Sequence, residues 1–277
     1  VWIKSRDHTY GHHLTDAVRG AGKDLYTDTT DDDYDNANSL QSFESDGFTL
    51  GTDNGPNNSS KRYVAWTWDM GGSNANNTTG SINSVVRANA TYGQSIVTWT
   101  GNATAGASVG TGLSSAAELI IIKNRETSGT NWRVHDNISG KTNGRMDLNG
   151  NGAENTANHQ ITFQSDKWTF NSDSGQHEDW NKNNTNMLAY CFHSVTGYSK
   201  IGSYSGTGSN VSVTTGFAPA FTMVKRADSA DSWFIFDNTR EPNGVVDLRL
   251  EADTTASEAS VTTGLTYTST GFTVTST

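Results

Sequence analysis

Along the whole chain, short β-branched or aromatic runs alternate with long stretches of Thr, Ser, Asn and Gly, and helical periodicity is hard to find. This pattern predicts many short strands joined by polar turns. In Tyr63-Val64-Ala65-Trp66-Thr67-Trp68, large side chains nearly alternate with small or polar ones, as on a half-buried strand. Leu119-Ile120-Ile121-Ile122 is continuously apolar, the mark of a strand covered on both faces. Further strands are expected at Ser95–Thr100, Trp132–His135, Lys167–Phe170, Met187–His193, Phe221–Lys225 and Ser232–Asp237. The one helix expected is a single turn near Ser114–Glu118. Both Val1-Trp2-Ile3-Lys4 and Gly271-Phe272-Thr273-Val274-Thr275 read as strand, so an ordered slice of a longer polypeptide is expected. The fold class is all-β.

Self-similarity organises these elements. Ile3-Lys4-Ser5-Arg6 returns as Ile122-Lys123-Asn124-Arg125 and as Val224-Lys225-Arg226, the lysines offset by 119 and then 102 residues. Each basic pair is followed by a polar turn and, in the later copies, an aromatic strand: Trp132-Arg133-Val134-His135-Asp136 and Trp233-Phe234-Ile235-Phe236-Asp237. The first copy has His13-Leu14-Thr15-Asp16 there. Ser45-Asp46-Gly47-Phe48-Thr49-Leu50 matches Ser165-Asp166-Lys167-Trp168-Thr169-Phe170 and Ser269-Thr270-Gly271-Phe272-Thr273-Val274. Tyr63–Trp68 matches Met187–Phe192, and Val97-Thr98-Trp99-Thr100-Gly101 matches Gly202-Ser203-Tyr204-Ser205-Gly206. Blocks repeated in one order indicate tandem copies. The expected division is a partial first module over residues 1–90, a complete second over 91–197, and a third over 198–277 that lacks its closing strand. Each full copy has enough strands for an antiparallel β-sandwich, folding singly or paired into a larger jelly roll, and copies in series suggest a row of such bodies. An unclosed sandwich exposes a strand edge, so the missing strands are expected in the parent chain or from a neighbour.

Composition narrows the chemistry. The single cysteine, Cys191, leaves no intrachain disulfide and too few thiols for a cysteine zinc site. A net charge of −10 argues against duplex nucleic acid as partner. A mean hydropathy of −0.61, with no run of about 18 apolar residues, gives no transmembrane helix, and no membrane insertion is expected.

Candidate sites are few. Glycosidases on jelly rolls place paired acids on one concave face, often as Glu-x-Asp-x-x-Glu, and that motif is absent. The nearest acidic cluster, His177-Glu178-Asp179-Trp180, reads as an exposed loop, so no catalytic residue is assigned. Asp147, Asn149 and Asn151, with Gly152, look like the start of a calcium loop, although its twelfth position is Asn158 rather than Glu. The acidic run holding Asp31, Asp33 and Asp35 is a second calcium candidate. Plain turns are the competing reading for both, and no cofactor beyond calcium is expected. The recurring Lys-x-Arg reads as stems laid over aromatic faces, with Asp136 or Asp237 taking the charge. Loop aromatics that could stack on sugar rings are Trp180, Tyr198, Trp99 and Tyr204, with core packing the alternative for each.

Met187–Tyr204 and Thr215–Arg226, continuing to Phe236-Asp237-Asn238-Thr239-Arg240, resemble a repeated β-rich domain of virion proteins from marine bacteriophages, notably those infecting cyanobacteria. That domain looks like the concanavalin A-like lectin and glucanase jelly roll. The resemblance spans nearly the whole chain and carries no catalytic residues across. It implies a non-enzymatic virion component on the particle surface, such as a tail fibre or head-decorating protein. The implied partners are host-surface glycans, other virion proteins and further copies of the chain. The alternative is a secreted carbohydrate-active enzyme, or its binding module, on the same fold.

Overall fold

The computed structural model describes residues 1–138, 144–156, 160–171 and 178–275. The first strands are β1 (Trp2–Ser5), β2 (His13–Leu14), β3 (Lys23–Tyr26), β4 (Tyr34–Asp35), β5 (Leu40–Phe43) and β6 (Phe48–Leu50). A helical turn, α1 (Asn54–Asn57), leads to β7 (Tyr63–Trp66), β8 (Ala75–Asn77) and β9 (Ser84–Asn89). Next come β10 (Gln94–Thr100), β11 (Ser108–Gly110), β12 (Leu119–Asn124), β13 (Arg133–Asp136) and β14 (Arg145–Asp147). Then follow β15 (Ile161–Phe163), β16 (Lys167–Phe170) and β17 (Asn186–Phe192). The last six are β18 (Val211–Thr214), β19 (Phe221–Lys225), β20 (Trp233–Asp237), β21 (Val245–Glu251), β22 (Ala259–Thr268) and β23 (Gly271–Val274). The protein is an all-β antiparallel sandwich fold.

The expected helical turn at Ser114–Glu118 does not form, because its groups are bound elsewhere. The Glu118 amide donates to the Phe192 carbonyl at 2.7 Å, and its carboxylate accepts the Ser194 amide at 2.9 Å. The turn forms instead at α1, where the Asp53 carboxylate caps the Gly55 amide at 2.8 Å and Pro56 supplies a preset φ.

The lysine, aromatic-strand and outer-hairpin blocks occupy equivalent places in the strand pairing. Trp2 faces Leu14 across β1–β2, Ile121 faces Val134 across β12–β13, and Met223 faces Ile235 across β19–β20. A closing strand lies on the other side of the first two: β7 sets Trp66 opposite Trp2, and β17 sets Tyr190 opposite Ile121. The outer hairpins β5–β6, β15–β16 and β22–β23 also correspond, with β11 and β18 added to the second and third. The expected division near residue 90 falls in the turn between β9 and β10. These strands pair with each other, so β8 and β9 join the sheet of the middle repeat.

That sheet, ordered β14-β13-β12-β17-β10-β9-β8, is covered on both faces. Val97, Trp99, Ile120, Ile122, Met187 and Ala189 pack with Ile161, Trp168 and Phe170 of the outer hairpin. Ile96, Ile121, Leu188 and Tyr190 face the other way, into a second core shared with Trp2 and Trp66 of the first repeat and Trp233 and Ile235 of the third. This two-sided burial accounts for the unbroken apolar run at Leu119–Ile122. Ile120 and Ile122 are wholly buried, and each such side chain contributes about 1.5–3 kcal/mol. The repeats therefore do not string out as a row. They surround a common core.

Candidate functional site

The polar chemistry of the molecule concentrates where repeats meet. Lys4, Lys123 and Lys225 hold one position on the equivalent strands β1, β12 and β19. Lys4 Nζ donates to the carbonyls of Ser5 and His8 in its own repeat and of Thr255 in the third, at 3.0, 3.2 and 3.2 Å. Lys123 Nζ donates to Thr130 at 2.6 Å and to Thr30 of the first repeat at 3.2 Å. Lys225 Nζ donates to Arg226 at 2.7 Å and to Asn151 of the second repeat at 3.3 Å. Thus the first repeat reaches the third, the second the first, and the third the second. Backbone bonds follow the same cycle: the Asp33, Glu154 and Glu258 amides donate to the Arg125, Ala227 and Arg6 carbonyls at 2.9, 2.8 and 2.9 Å. Head-to-tail contacts that return to their start make a closed ring.

Indoles add to two of the junctions. Trp132 Nε1–H donates to the Tyr26 carbonyl at 2.8 Å, and Trp233 Nε1–H to the Asp147 carbonyl at 2.9 Å. His12 stands at the same place in the first repeat, where its Nδ1 accepts Trp2 Nε1–H at 2.9 Å. That bond requires an unprotonated Nδ1. Burial, with Lys4 nearby, holds His12 well below the ordinary histidine range.

Carboxylates complete the ties. Asp16 pairs with Arg19 and Asp237 with Arg240, each at 2.6 Å. Each also accepts a bond from a closing strand of another repeat: Tyr190 Oη–H to Asp16 at 2.8 Å, and Trp66 Nε1–H to Asp237 at 3.1 Å. Burial opposes the Asp16 charge, but Arg19 and Tyr190 outweigh it and keep the acid below its usual range. Asp33 joins Arg125 at 2.8 Å, and Glu258 joins both Arg6 and Arg240 at 2.8 Å. The third junction has Ala227 where the others have arginine.

Burial pushes Lys4 and Lys123 down to about 8, so the carbonyl cages hold ammonium ions at neutral pH. The expected cation–aromatic contact forms at Lys123, while the partners that take the charge differ from those expected. Lys123 Nζ lies 6.0 Å from the Trp132 ring centroid, at the limit of a cation–π contact, and carbonyls hold it. Asp237 serves Arg240 rather than Lys225.

The family described as "Domain of unknown function (DUF7483)" matches residues 1–277. The chain belongs to that family. No curated protein and no solved structure matches it significantly.

In this DUF7483 chain the residues singled out from sequence are scattered. Asp147 pairs with Arg133 at 2.5 Å, and Asn149 Oδ1 accepts the Trp132 amide at 2.8 Å. Asp28 and Asp253 accept the His12 and Trp233 amides in the same way, at 2.6 and 3.0 Å, so Asn149 is one of three turn braces. The Asn151 carbonyl takes Lys225 Nζ and the Asp231 amide. Asn158 lies outside the described residues. Asp33 is bound at a junction, Asp35 meets Lys23 at 2.5 Å, and Asp31 faces solvent. Among the described residues no three His, Cys, Asp or Glu side chains are placed to hold a metal.

The acidic loop is not wholly exposed. Asp179 is buried against Arg133, with Arg133 Nε at 3.0 Å, and it also accepts the Asn131 amide at 2.7 Å. Glu178 faces solvent beside Lys182, and His177 lies outside the described residues. Among the sugar-stacking candidates, Trp180 and Trp99 are core residues, 1% and 4% exposed. Tyr198 and Tyr204 remain on the surface, at 41% and 39%. Tyr198 stacks on Tyr92 with ring centroids 4.5 Å apart, while Tyr204 meets Phe272 edge-on at 6.3 Å. Tyr92 was not singled out; its one signal is an aromatic beside the turn glycine Gly93.

Proposed function

We propose that the protein is a non-enzymatic structural component of a bacteriophage virion, in a tail fibre, another appendage or a head decoration. Its surface attaches to host glycans or to neighbouring virion proteins. The observation that carries this reading is where the polar side chains go. The lysines, arginines and acids of the repeated blocks tie one repeat to the next, a use suited to a load-carrying body. The block resemblance to phage virion domains supports the same conclusion. For adhesion, the exposed Tyr198 ring, backed by the half-buried Tyr92 on which it stacks, offers an aromatic surface on which sugar rings pack through their C–H faces.

Immunogold electron microscopy of phage particles tests the location, and a glycan array tests the contact. Label on tail or capsid, with glycan binding lost in Tyr198→Ala, is the expected result. Glycan hydrolysis that disappears in Glu178→Gln would replace this reading with the enzymatic one.

A further inference from the structure

We propose that the outer edge of β19 is an acceptor groove for one β-strand supplied by a partner polypeptide, running antiparallel to β19 with the pattern apolar, apolar, Ala, aromatic. This goes beyond the virion reading and does not depend on it. The molecule itself displays what fills such a groove. β1 is flanked by β2 and β7, and β12 by β13 and β17, whereas β19 ends its sheet with β20 alone beside it among the described residues. The consequences are visible residue by residue. All four residues of β1 are buried and five of the six in β12, but all five of β19 are only half-buried.

The pattern follows from the register of the filled grooves. Trp66 and Tyr190 lie opposite Trp2 and Ile121, Ala65 and Ala189 opposite Ile3 and Ile122, and Val64 and Leu188 opposite Lys4 and Lys123. A strand on β19 would set its aromatic residue opposite Met223, its alanine opposite Val224 and an apolar residue opposite Lys225. Its aromatic donor would arrive at Asp136, the position Asp16 and Asp237 hold in their repeats. Those two accept such a donor while also binding an arginine, so the position takes this bond alongside others.

A second observation points to the same vacancy. Val97–Gly101 and Gly202–Gly206 match in sequence, yet the first lies largely in β10 and the second is not a strand. β10 is paired along its whole length with β17, and among the described residues no strand pairs with residues 202–206. Trp99 is accordingly 4% exposed, and its counterpart Tyr204 39%. The 277 residues hold two strands of the required pattern, and both already occupy their own grooves, so neither is spare for β19. Main-chain bonds to an open edge supply affinity in such complexes, and alternate side chains supply choice of partner.

The test uses the intact protein and a synthetic peptide with the sequence of Ser60–Asp69, which contains β7 and carries charge for solubility. Amide hydrogen exchange is followed with and without peptide. A control peptide has proline at the Val64 and Ala65 positions and cannot donate to a ladder. The expected result is exchange slowed about tenfold or more over Phe221–Lys225 with the first peptide and unchanged with the second. No slowing at saturating peptide, or equal slowing by the proline peptide, would overturn the proposal. So would β19 amides already protected in a protein that sediments as a dimer, because a second copy would then hold the edge.

Discussion

The middle and third repeats carry matching sequence blocks but differ in one strand, and the difference shows what a closing strand does. With β17 in place, β12 is buried, Lys123 sits in a closed carbonyl cage, and β10 forms with Trp99 inside. Without a counterpart, β19 stays half-buried, and the segment matching β10 remains unpaired with Tyr204 on the surface. Lys225 keeps its bonds to Arg226 and Asn151 even so. The ties between repeats therefore survive where the local sheet is incomplete, which locates the integrity of the molecule in the shared core.

The sharpest contrast comes from matched aromatics. Trp99→Ala should cost about 3–5 kcal/mol in urea unfolding, and Tyr204→Ala less than about 1 kcal/mol. Equal costs would remove the distinction. Histidine provides the next test, because the middle repeat buries His135 where the third buries Phe236. Burial beside Arg133 and Arg145 takes His135 down to about 3. An unfolded chain thus binds a proton there below about pH 6.5 that the folded chain refuses, and stability falls as pH drops through that window. His135→Phe should remove about 2 kcal/mol of the loss between about pH 6.5 and 4.5. His12, also held neutral, leaves a residual slope of the same sign.

Smaller effects follow at the ties. Lys123→Met, which takes the ammonium donor from the Thr130 carbonyl and leaves Thr30 with the Gly129 amide, should cost about 2 kcal/mol. Lys225→Met, at the more open site, should cost about half as much or less. Arg125→Ala copies the third junction, where Ala227 stands, into the second. It should cost about 1 kcal/mol by chemical denaturation, through loss of the Asp33 pair. Exchanging calcium for a chelator should move the melting temperature by less than about 1 °C, since Asp147, Asn149 and Asp33 already serve protein donors.

Much of this fold was legible from the chain. Leu119–Ile122 and Tyr63–Trp66 announced their burial through their patterns, and the repeated Lys and Trp blocks marked equivalent strands. The ring was not legible. The lysine and indole partners are backbone carbonyls, at Thr30, Asn151, Thr255, Tyr26 and Asp147, and a carbonyl leaves no mark in the residue alphabet. Asn149 looked like a calcium ligand because an oxygen side chain that braces a turn is the same residue type as one that binds a cation. Trp180, set in a Gln- and Asn-rich stretch, was buried by packing against distant strands that local sequence does not record.

Scanning calorimetry of the intact chain tests the shared core most directly. Three repeats locked around one centre should melt in a single transition whose calorimetric and van't Hoff enthalpies agree. Separate transitions, or a calorimetric enthalpy several times the van't Hoff value, would mean that the repeats unfold independently and that no common core unites them.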